Sequence, residues 1–286
     1  MGSVAVVTDT CHYLPRQLVA ARGIHEVSLY VHWDAREDRE ADLPDFGAYY
    51  EHLRTAKQLP TTSQPSIGDF LAVYEPLLAD GREIVSIHLS SAISGTFASA
   101  EQARDQLAGR GRDRIHVVDS QSACGGEGLV VLAAHAAAAR GLSAQEVVAH
   151  AREARAALQM WFAVDTLEYL RRGGRIGAAQ AYLGSALKIK PILTLEAEIT
   201  PVERVRTSGR AFERMVDYMK SRHADGADAW VVQHIQAHEQ AERLVEIGRE
   251  LWGCDPCFVS EVGPVIGTHV GPGLLGVGGI PTSFLA

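Results

Sequence analysis

The 286-residue chain is 47% apolar and 22% charged and has a formal net charge of −8, a composition typical of folded rather than disordered proteins. No apolar run reaches the ~18–20 residues that a membrane span requires, and the sequence lacks the basic stripe that is typical of nucleic-acid-binding proteins. The amino-terminal segment MGSVAVVTDT has no basic region followed by an apolar one. We therefore expect no secretory signal, no stable membrane insertion and a cytoplasmic protein.

The first half of the chain alternates short apolar runs with longer helical patterns. Ser66 followed by Asp69 has the spacing of a capping box at a helix start. The alternation predicts a mainly parallel sheet with crossover helices. The predicted strands are 4–7, VSLYVHW within 25–33, 83–89 and 114–119, and the predicted helices are 43–56, 66–78, 96–107 and an Ala-rich helix that ends at residue 140.

From about residue 159 the pattern changes to antiparallel pairs with two amphipathic helices. LKIKPILTLEAEITPVERVR predicts strand, turn and strand, with a hinge at 195–199, and the final FVSEVGPVIGTHVGPGLLGVGG predicts a strand followed by a Gly-rich loop. We therefore predict an α/β protein of two domains. Residues 1–157 would form a Rossmann-like sheet with flanking helices, and 158–286 would form a smaller α+β domain.

Three hydroxyl-rich loops lie between strands or extended runs and helix starts in the first half. They contain Thr61, Thr62 and Ser63; Ser90, Ser91 and Ser94; and Ser120 and Ser122. In an open parallel sheet such loops gather beyond the carboxyl ends of the strands, where hydroxyls and free helix N–H groups favour an anionic group such as a carboxylate or phosphate. The alternative is that they only cap helices, which is the role we assign to Ser66 and Thr96.

Charged and titratable side chains in the second half suggest two further candidate features. His269 lies among glycines and prolines, so it is either a ligand-facing histidine or a solvated one in a tight turn. Arg171, Arg172 and Arg175 form the densest cationic spot, and the second contains Arg204, Arg206 and Arg210. Such arginines either bind an anion or form a solvated face.

Several chemistries lack their motifs in this sequence. There is no GxxxxGK[ST] loop, and the GxGxxG begun by Gly126 and Gly128 fails at Val131, so we expect no phosphate transfer from ATP by this chain alone. A serine hydrolase built from Ser94, His269 and Asp119 remains an alternative, although no GxSxG elbow is present.

We also predict no metal site. Cys254 and Cys257 have metal-like spacing but no second ligand pair nearby, which favours a simple turn. His234 ends a predicted strand and His238 starts a predicted helix, so we do not expect them to share a helical face.

Several motifs in a fixed order across the chain resemble the DegV family. They are TDT at 8–10, TTSQPS at 61–66, LSSAISGTFASA at 89–100, VVDSQSACGGEG at 117–128, LEYLRRGGRI at 167–176, LKIKPIL at 187–193 and GPVIGTHVGPG at 263–273. The resemblance implies a two-domain α/β protein with one long-chain fatty acid, for example palmitate, stearate or oleate, in a tunnel between or beneath the domains. It implies no other cofactor.

The resemblance also implies a function and a set of site residues. Better-understood members act as the fatty-acid-binding subunit of a bacterial fatty acid kinase, whose separate catalytic subunit phosphorylates the bound carboxylate for phospholipid synthesis. The chain would thus be a carrier rather than an enzyme, with at most transient membrane contact. The resemblance implies ligand-binding roles for Thr62, Ser94, His269 and Arg206, and our predicted ligand-binding set also contains Ser63, Gly95 and Ser120. Arg171, Arg172 and Arg175 are the predicted kinase-docking residues, together with the cluster at 204–210, and Arg172 and Arg175 also match family arginines.

Overall fold

The computed structural model describes residues 3–109, 111–183 and 189–286. Within these ranges the strands are β1 (Val4–Asp9), β2 (His25–Val27), β3 (Tyr30–Trp33), β4 (Arg36–Arg39), β5 (Thr61–Ser63), β6 (Glu83–His88), β7 (Ile115–Asp119), β8 (Gln159–Ala163), β9 (Lys190–Glu196), β10 (Glu198–Val205), β11 (Ala229–His234), β12 (Phe258–Glu261) and β13 (Leu275–Ile280). The α-helices are α1 (Arg16–Arg22), α2 (Gly47–Thr55), α3 (Ile67–Ala79), α4 (Thr96–Gln106), α5 (Cys124–Ala139), α6 (Ala144–Ala157), α7 (Glu168–Arg172), α8 (Ser208–Ala224), α9 (His238–Trp252) and α10 (Pro264–Val270). Among the described residues, no helix combines the length and the apolar character needed to cross a membrane.

The first half contains the predicted parallel sheet, with strand order β2-β1-β6-β7 and every pair parallel. Successive residues of β1 enter two different cores: Val4 and Val6 pack towards α5, whereas Ala5 and Val7 pack with α3. Because helices cover both faces, the strand is a continuous apolar run rather than an alternating one. The α/β fold class predicted from the sequence is confirmed, and the Ser66–Asp69 capping box is present at the start of α3.

The segment predicted as one strand at 25–33 is divided between two sheets. β2 pairs with β1, but β3 belongs to a small antiparallel sheet of order β4-β3-β5. The change of direction falls at Ser28, because the Leu29 N–H donates to Thr10 Oγ1 at 3.2 Å instead of continuing the parallel ladder. The prediction that 61–63 is a loop was likewise wrong, since Thr61–Ser63 forms the edge strand β5.

The second half contains a six-stranded sheet of order β10-β9-β8-β13-β11-β12, antiparallel except for the β11–β12 pair. The predicted hairpin is present as β9 and β10, joined at Ala197; residues 187 and 188 of the LKIKPIL motif lie outside the described residues. This sheet has more strands than the parallel sheet, and α5 of the first half packs against β11 and β13. The division into domains 1–157 and 158–286 stays a prediction.

The prediction of a Gly-rich carboxyl-terminal loop was wrong in two places. Residues 264–270 form the helix α10, and LGVGGI at 275–280 is the buried strand β13 between β8 and β11. Glycine is required inside this strand because a Cβ atom at Gly278 would collide with Gln159 O and Met160 Cγ. The glycines therefore allow close approach of neighbouring strands, a use of glycine that a turn-based interpretation misses.

We predict that Gly278→Ala destabilises the protein by about 1–3 kcal/mol, the usual cost of forcing extra atoms into a packed core. Gly276→Ala is the matched control on the same strand, because its Cβ would meet its nearest neighbour, Phe162 Cβ, at an ordinary 3.6 Å. Urea unfolding of both variants measures the difference. Equal stabilities would contradict the requirement for close strand approach.

Candidate functional site

A cavity of about 960 Å³, counted with its opening to solvent, lies between the carboxyl end of the parallel sheet, the six-stranded sheet and α10. Its wall is mainly apolar and comes from both halves of the chain. The first half contributes Leu29, Leu89, Ile93 and Ala123, and the second contributes Met160, Trp161, Phe162, Leu170, Leu195, Ile199, Val265, Ile266, Val270 and Leu274.

Polar side chains also line this cavity, and several are predicted site residues. Thr62 and Ser63 come from β5, Ser94 from the loop before α4, and His269 from α10. Two of the three hydroxyl loops, 61–63 and 90–94, thus supply predicted hydroxyls to one cavity. The third supplies Ser122 in place of the predicted Ser120.

Thr62 and His269 form the central polar contact, with Thr62 Oγ1 2.9 Å from His269 Nε2. Burial, and to a smaller extent the nearby Arg175 guanidinium, lower the pKa of His269 to about 4. The backbone at Gly173 lies so close to Nδ1 that a Cβ atom there would collide with the ring. His269 is therefore a neutral imidazole at neutral pH, fixed in position and not a solvated turn residue.

The Ser94 hydroxyl stands at the start of α4. Its Oγ accepts a hydrogen bond from the Thr96 N–H at 3.3 Å and lies 2.9 Å from Thr96 Oγ1. Gly95 follows without lining the cavity, and its missing side chain leaves room for the Gln64 amide, which a Cβ atom would meet at 3.0 Å. The hydrogen bond from the first turn of α4 thus fixes the position of the Ser94 side chain, as in an N-terminal cap.

Other predicted residues lie away from the cavity. Ser120 is fully buried in its turn, where its hydroxyl donates to Ser122 O and accepts from the Ser122 N–H. Arg206 is exposed, one residue after β10, and Arg171 is exposed and paired with Glu168. Arg172 is also exposed, next to Arg171 at the end of α7.

Arg175 stands apart from the other predicted docking residues because it lines the cavity. Its Nε donates to Ile93 O at 3.3 Å and its Nη1 donates to Gly173 O at 2.7 Å. The guanidinium thus connects the loop that contains Ser94 with the turn that packs on His269, at the exposed edge of the site.

The hydrolase alternative is not supported by the hydrogen bonds of its three residues. The imidazole bonds to Thr62, and the Ser94 hydroxyl bonds to Thr96. Asp119 accepts instead from the Ser91 hydroxyl and the Gln121 N–H. No relay from carboxylate through imidazole to serine is formed among them.

A buried glutamate that the sequence analysis missed holds α10 in place. Glu40 is 2% exposed, and its Oε1 accepts from the Val265 N–H at 2.8 Å and from the Tyr13 hydroxyl at 2.9 Å. Burial raises the pKa of Glu40 to about 7. Since Glu40 follows a short exposed strand in the sequence, its pattern is that of a surface residue, and only the fold places it under α10.

His234 and His238 are in contact, which was not predicted from the sequence. His234 ends β11 and His238 begins α9, as predicted, but their ring centroids are 4.5 Å apart, and Glu261 lies beside them. The two residues share no helical face, as predicted, but the turn between strand and helix brings their rings together.

Comparison with known proteins identifies the family. The family model described as "Uncharacterised protein, DegV family" matches residues 3–282. The chain belongs to the DegV family. Protein DegV of Bacillus subtilis is 36% identical over 280 residues, which cover 96% of this chain and 98% of that protein.

Solved structures of DegV proteins share the fold over nearly the whole length. Bacillus subtilis DegV, described as a fatty acid binding protein, has a TM-score of 0.87 at 35% identity, covering 97% of this chain and 99% of that one. A DegV family protein from Thermus thermophilus, also described as fatty acid binding, has a TM-score of 0.86 at 33% identity, with 98% and 99% covered.

We predict that Glu40 makes stability depend on pH. The folded-state pKa of about 7 exceeds the ordinary value of 4.5, so the protonated carboxyl favours folding; its contribution is complete below about pH 4.5 and is lost as the pH rises through about 7. Glu40→Gln removes this dependence. The variant should therefore gain about 2–3 kcal/mol relative to the parent between about pH 5 and pH 8.

Denaturant unfolding at several pH values measures this gain. Glu239→Gln, which changes an exposed glutamate on α9, is the matched control. A parallel pH profile for Glu40→Gln and the parent would show that Glu40 does not titrate in this range.

Proposed function

We propose that this protein binds one long-chain fatty acid in the cavity and presents its carboxylate at the Thr62–Ser94–His269 end to a partner kinase, which forms the acyl phosphate. The observation that supports this proposal is the combination of a long apolar wall with a small group of neutral polar side chains. The fatty acid binding described for the DegV proteins of Bacillus subtilis and Thermus thermophilus agrees with it.

The apolar wall supplies most of the binding free energy in this proposal. Each methylene moved from water into protein contributes about 0.8 kcal/mol, so a dozen give on the order of 10 kcal/mol before entropic costs. Phe162, Leu195 and Leu274 are examples of the lining side chains that would contact such a chain. The acyl chain is therefore held without any specific polar contact along its length.

The carboxylate requires donors, because an unpaired buried anion is strongly unfavourable. If His269 Nε2–H donates to Thr62 Oγ1, the threonine hydroxyl hydrogen is free to donate to a carboxylate oxygen. Ser94 has the same capacity, since its Oγ already accepts from the Thr96 N–H. Two hydroxyls thus bind the anion, and the imidazole orients one of them.

Neutral donors suit a carboxylate that must react further. A buried bidentate arginine would stabilise the carboxylate strongly and oppose its conversion to an acyl phosphate. Arg175 is instead bound to two backbone carbonyls at the edge of the site, where its charge favours the anion at longer range. The sequence contains no nucleotide-binding loop, which agrees with ATP being bound by the partner.

The exposed arginines of α7 are the proposed docking surface for that partner. Arg171 and Arg172 lie at the end of the helix that leads to Gly173, and Gly173 contacts His269. A partner bound there would stand beside the carboxylate end of the cavity. The arginines at 204–210 are the second candidate surface.

We predict that the purified protein contains one fatty acid per chain and that Thr62→Val lowers fatty acid affinity about 10–150-fold. The magnitude follows from the loss of a hydrogen bond to a charged group, worth about 1.5–3 kcal/mol. Native mass spectrometry detects the bound lipid, and displacement of a fluorescent fatty acid measures the affinity. Thr61→Val is the matched control, because Thr61 is exposed on the same strand.

Two results would contradict fatty acid binding at this site. One is a protein that has no lipid mass and takes up no added fatty acid. The other is equal affinity for Thr62→Val and Thr61→Val, which would move the carboxylate away from β5.

We predict that Arg172→Glu slows kinase-dependent phosphorylation of the bound fatty acid several-fold at subsaturating kinase, because charge reversal in an interface mainly lowers the association rate. Fatty acid affinity should not change, since Arg172 does not line the cavity. Arg152→Glu, an equally exposed change on α6, is the control. An unchanged rate would exclude this docking surface and leave fatty acid binding intact.

A further inference from the structure

His234, His238 and Glu261 form a cluster of potential metal ligands outside the cavity lining. One ligand atom from each lies within 4.8 Å of the other two. His234 and Glu261 are register partners at the carboxyl ends of the parallel strands β11 and β12. His238 joins them because α9 begins only four residues after the end of β11.

The buried member of the cluster has an unused ligand atom. His234 is 6% exposed, and its Nδ1 has no hydrogen-bond partner among the described residues. A buried polar atom without a partner is rare in folded proteins, and an unfilled ion site is one of its recognised causes. His238 is exposed, so the cluster is open to solvent on one side.

The carboxylate of the cluster is oriented by the turn between β11 and α9. Both the backbone N–H and the side-chain Nε2 of Gln236 donate to Glu261 Oε1, at 3.2 and 2.6 Å. Gln236 has a left-handed φ of 52° in this turn. Glu261 Oε2 receives neither bond and is left to bind a cation, in the way that outer hydrogen bonds commonly orient metal-binding carboxylates.

We propose that His234, His238 and Glu261 bind a divalent transition-metal ion, with Zn²⁺ as the best fit. Two imidazoles and one carboxylate are a common zinc ligand set, and a fourth, solvent-facing position would be occupied by water. Arg54 contacts this turn, where its Nη2 donates to Gln236 Oε1 at 3.4 Å. The ion would join the ends of β11 and β12 to the start of α9.

The site would also affect the segment that leads to α10. The Val262 N–H donates to His234 O at 2.8 Å, and Val262 O accepts from the buried Tyr50 hydroxyl at 2.6 Å. A metal bound to His234 and Glu261 therefore lies at the base of the connection to the helix that contains His269. Its role is to stabilise this connection, and its binding does not require the cavity to be filled.

Calorimetric titration of the untagged full-length chain with ZnCl₂ tests the proposal. The titration uses a Cys254→Ser/Cys257→Ser background, because those two thiols could bind zinc themselves. We expect one Zn²⁺ per chain, a zinc-dependent rise in Tm and, with Co²⁺, visible absorption from four-coordinate cobalt. His238→Ala and Glu261→Gln should each weaken zinc binding at least tenfold and abolish the rise in Tm.

His223→Ala is the matched control, because His223 is exposed in the last turn of α8 and lies outside the cluster. Circular dichroism establishes that each variant is folded. The proposal is overturned if the cysteine-free background binds no zinc, or if His238→Ala and Glu261→Gln bind it as tightly as His223→Ala.

Discussion

The architecture of the site depends on the hydrogen bonds of the buried Asp9 side chain. It lies at the end of β1, and its Oδ2 accepts from His88 Nδ1 and from the Leu89 N–H, both at 3.0 Å. His88 Nε2 lies 2.7 Å from Ser86 Oγ, which accepts from the Tyr74 hydroxyl at 2.8 Å. A fully buried carboxyl group tolerates such a position only when it is well hydrogen-bonded. This network fixes the point where the parallel sheet changes its winding direction, and the loop that ends in Ser94 starts there.

A second buried carboxyl group, that of Glu40, has the corresponding role for α10. Glu40 holds the first turn of α10 through the Val265 N–H, and the last turn of that helix contains His269. Two separate acidic side chains thus position the polar end of the cavity. Asp9 supports the loop that contains Ser94, and Glu40 supports the helix that contains His269. Because each is enclosed and hydrogen-bonded, the donors at the end of the cavity are fixed before any ligand arrives, which reduces the entropic cost of binding.

The sequence predicted the features that depend on local chemistry and on parallel topology. The capping box of α3 needs only Ser66 and Asp69, and the loop that contains Ser94 follows the parallel strand β6, as expected. Thr62 reaches the same cavity from the antiparallel strand β5, which the parallel topology did not predict. The sequence could not separate cavity lining from core, since Leu89 is 2% exposed and lines the cavity like any core leucine. It also failed at β13, where glycines permit strand packing rather than turns. The contact between His234 and His238 could not be predicted, because contacts across a turn do not follow a regular residue spacing.

In the proposed function, the apolar wall and the polar end of the cavity would have different roles. Most of the binding free energy would come from the acyl chain, which phosphorylation would leave unchanged, whereas the hydroxyls would bind only the end that reacts. An imidazole whose pKa lies near 4 contributes no formal charge at neutral pH, so His269 orients Thr62 without stabilising the carboxylate as an ion pair would. Most of the affinity would thus come from the apolar wall, and Thr62 and Ser94 would add a smaller part at the end that reacts. A fold that placed a buried arginine at Thr62 would gain affinity for the free acid and lose it again for the acyl phosphate geometry, because a rigid bidentate pair fits only one of the two.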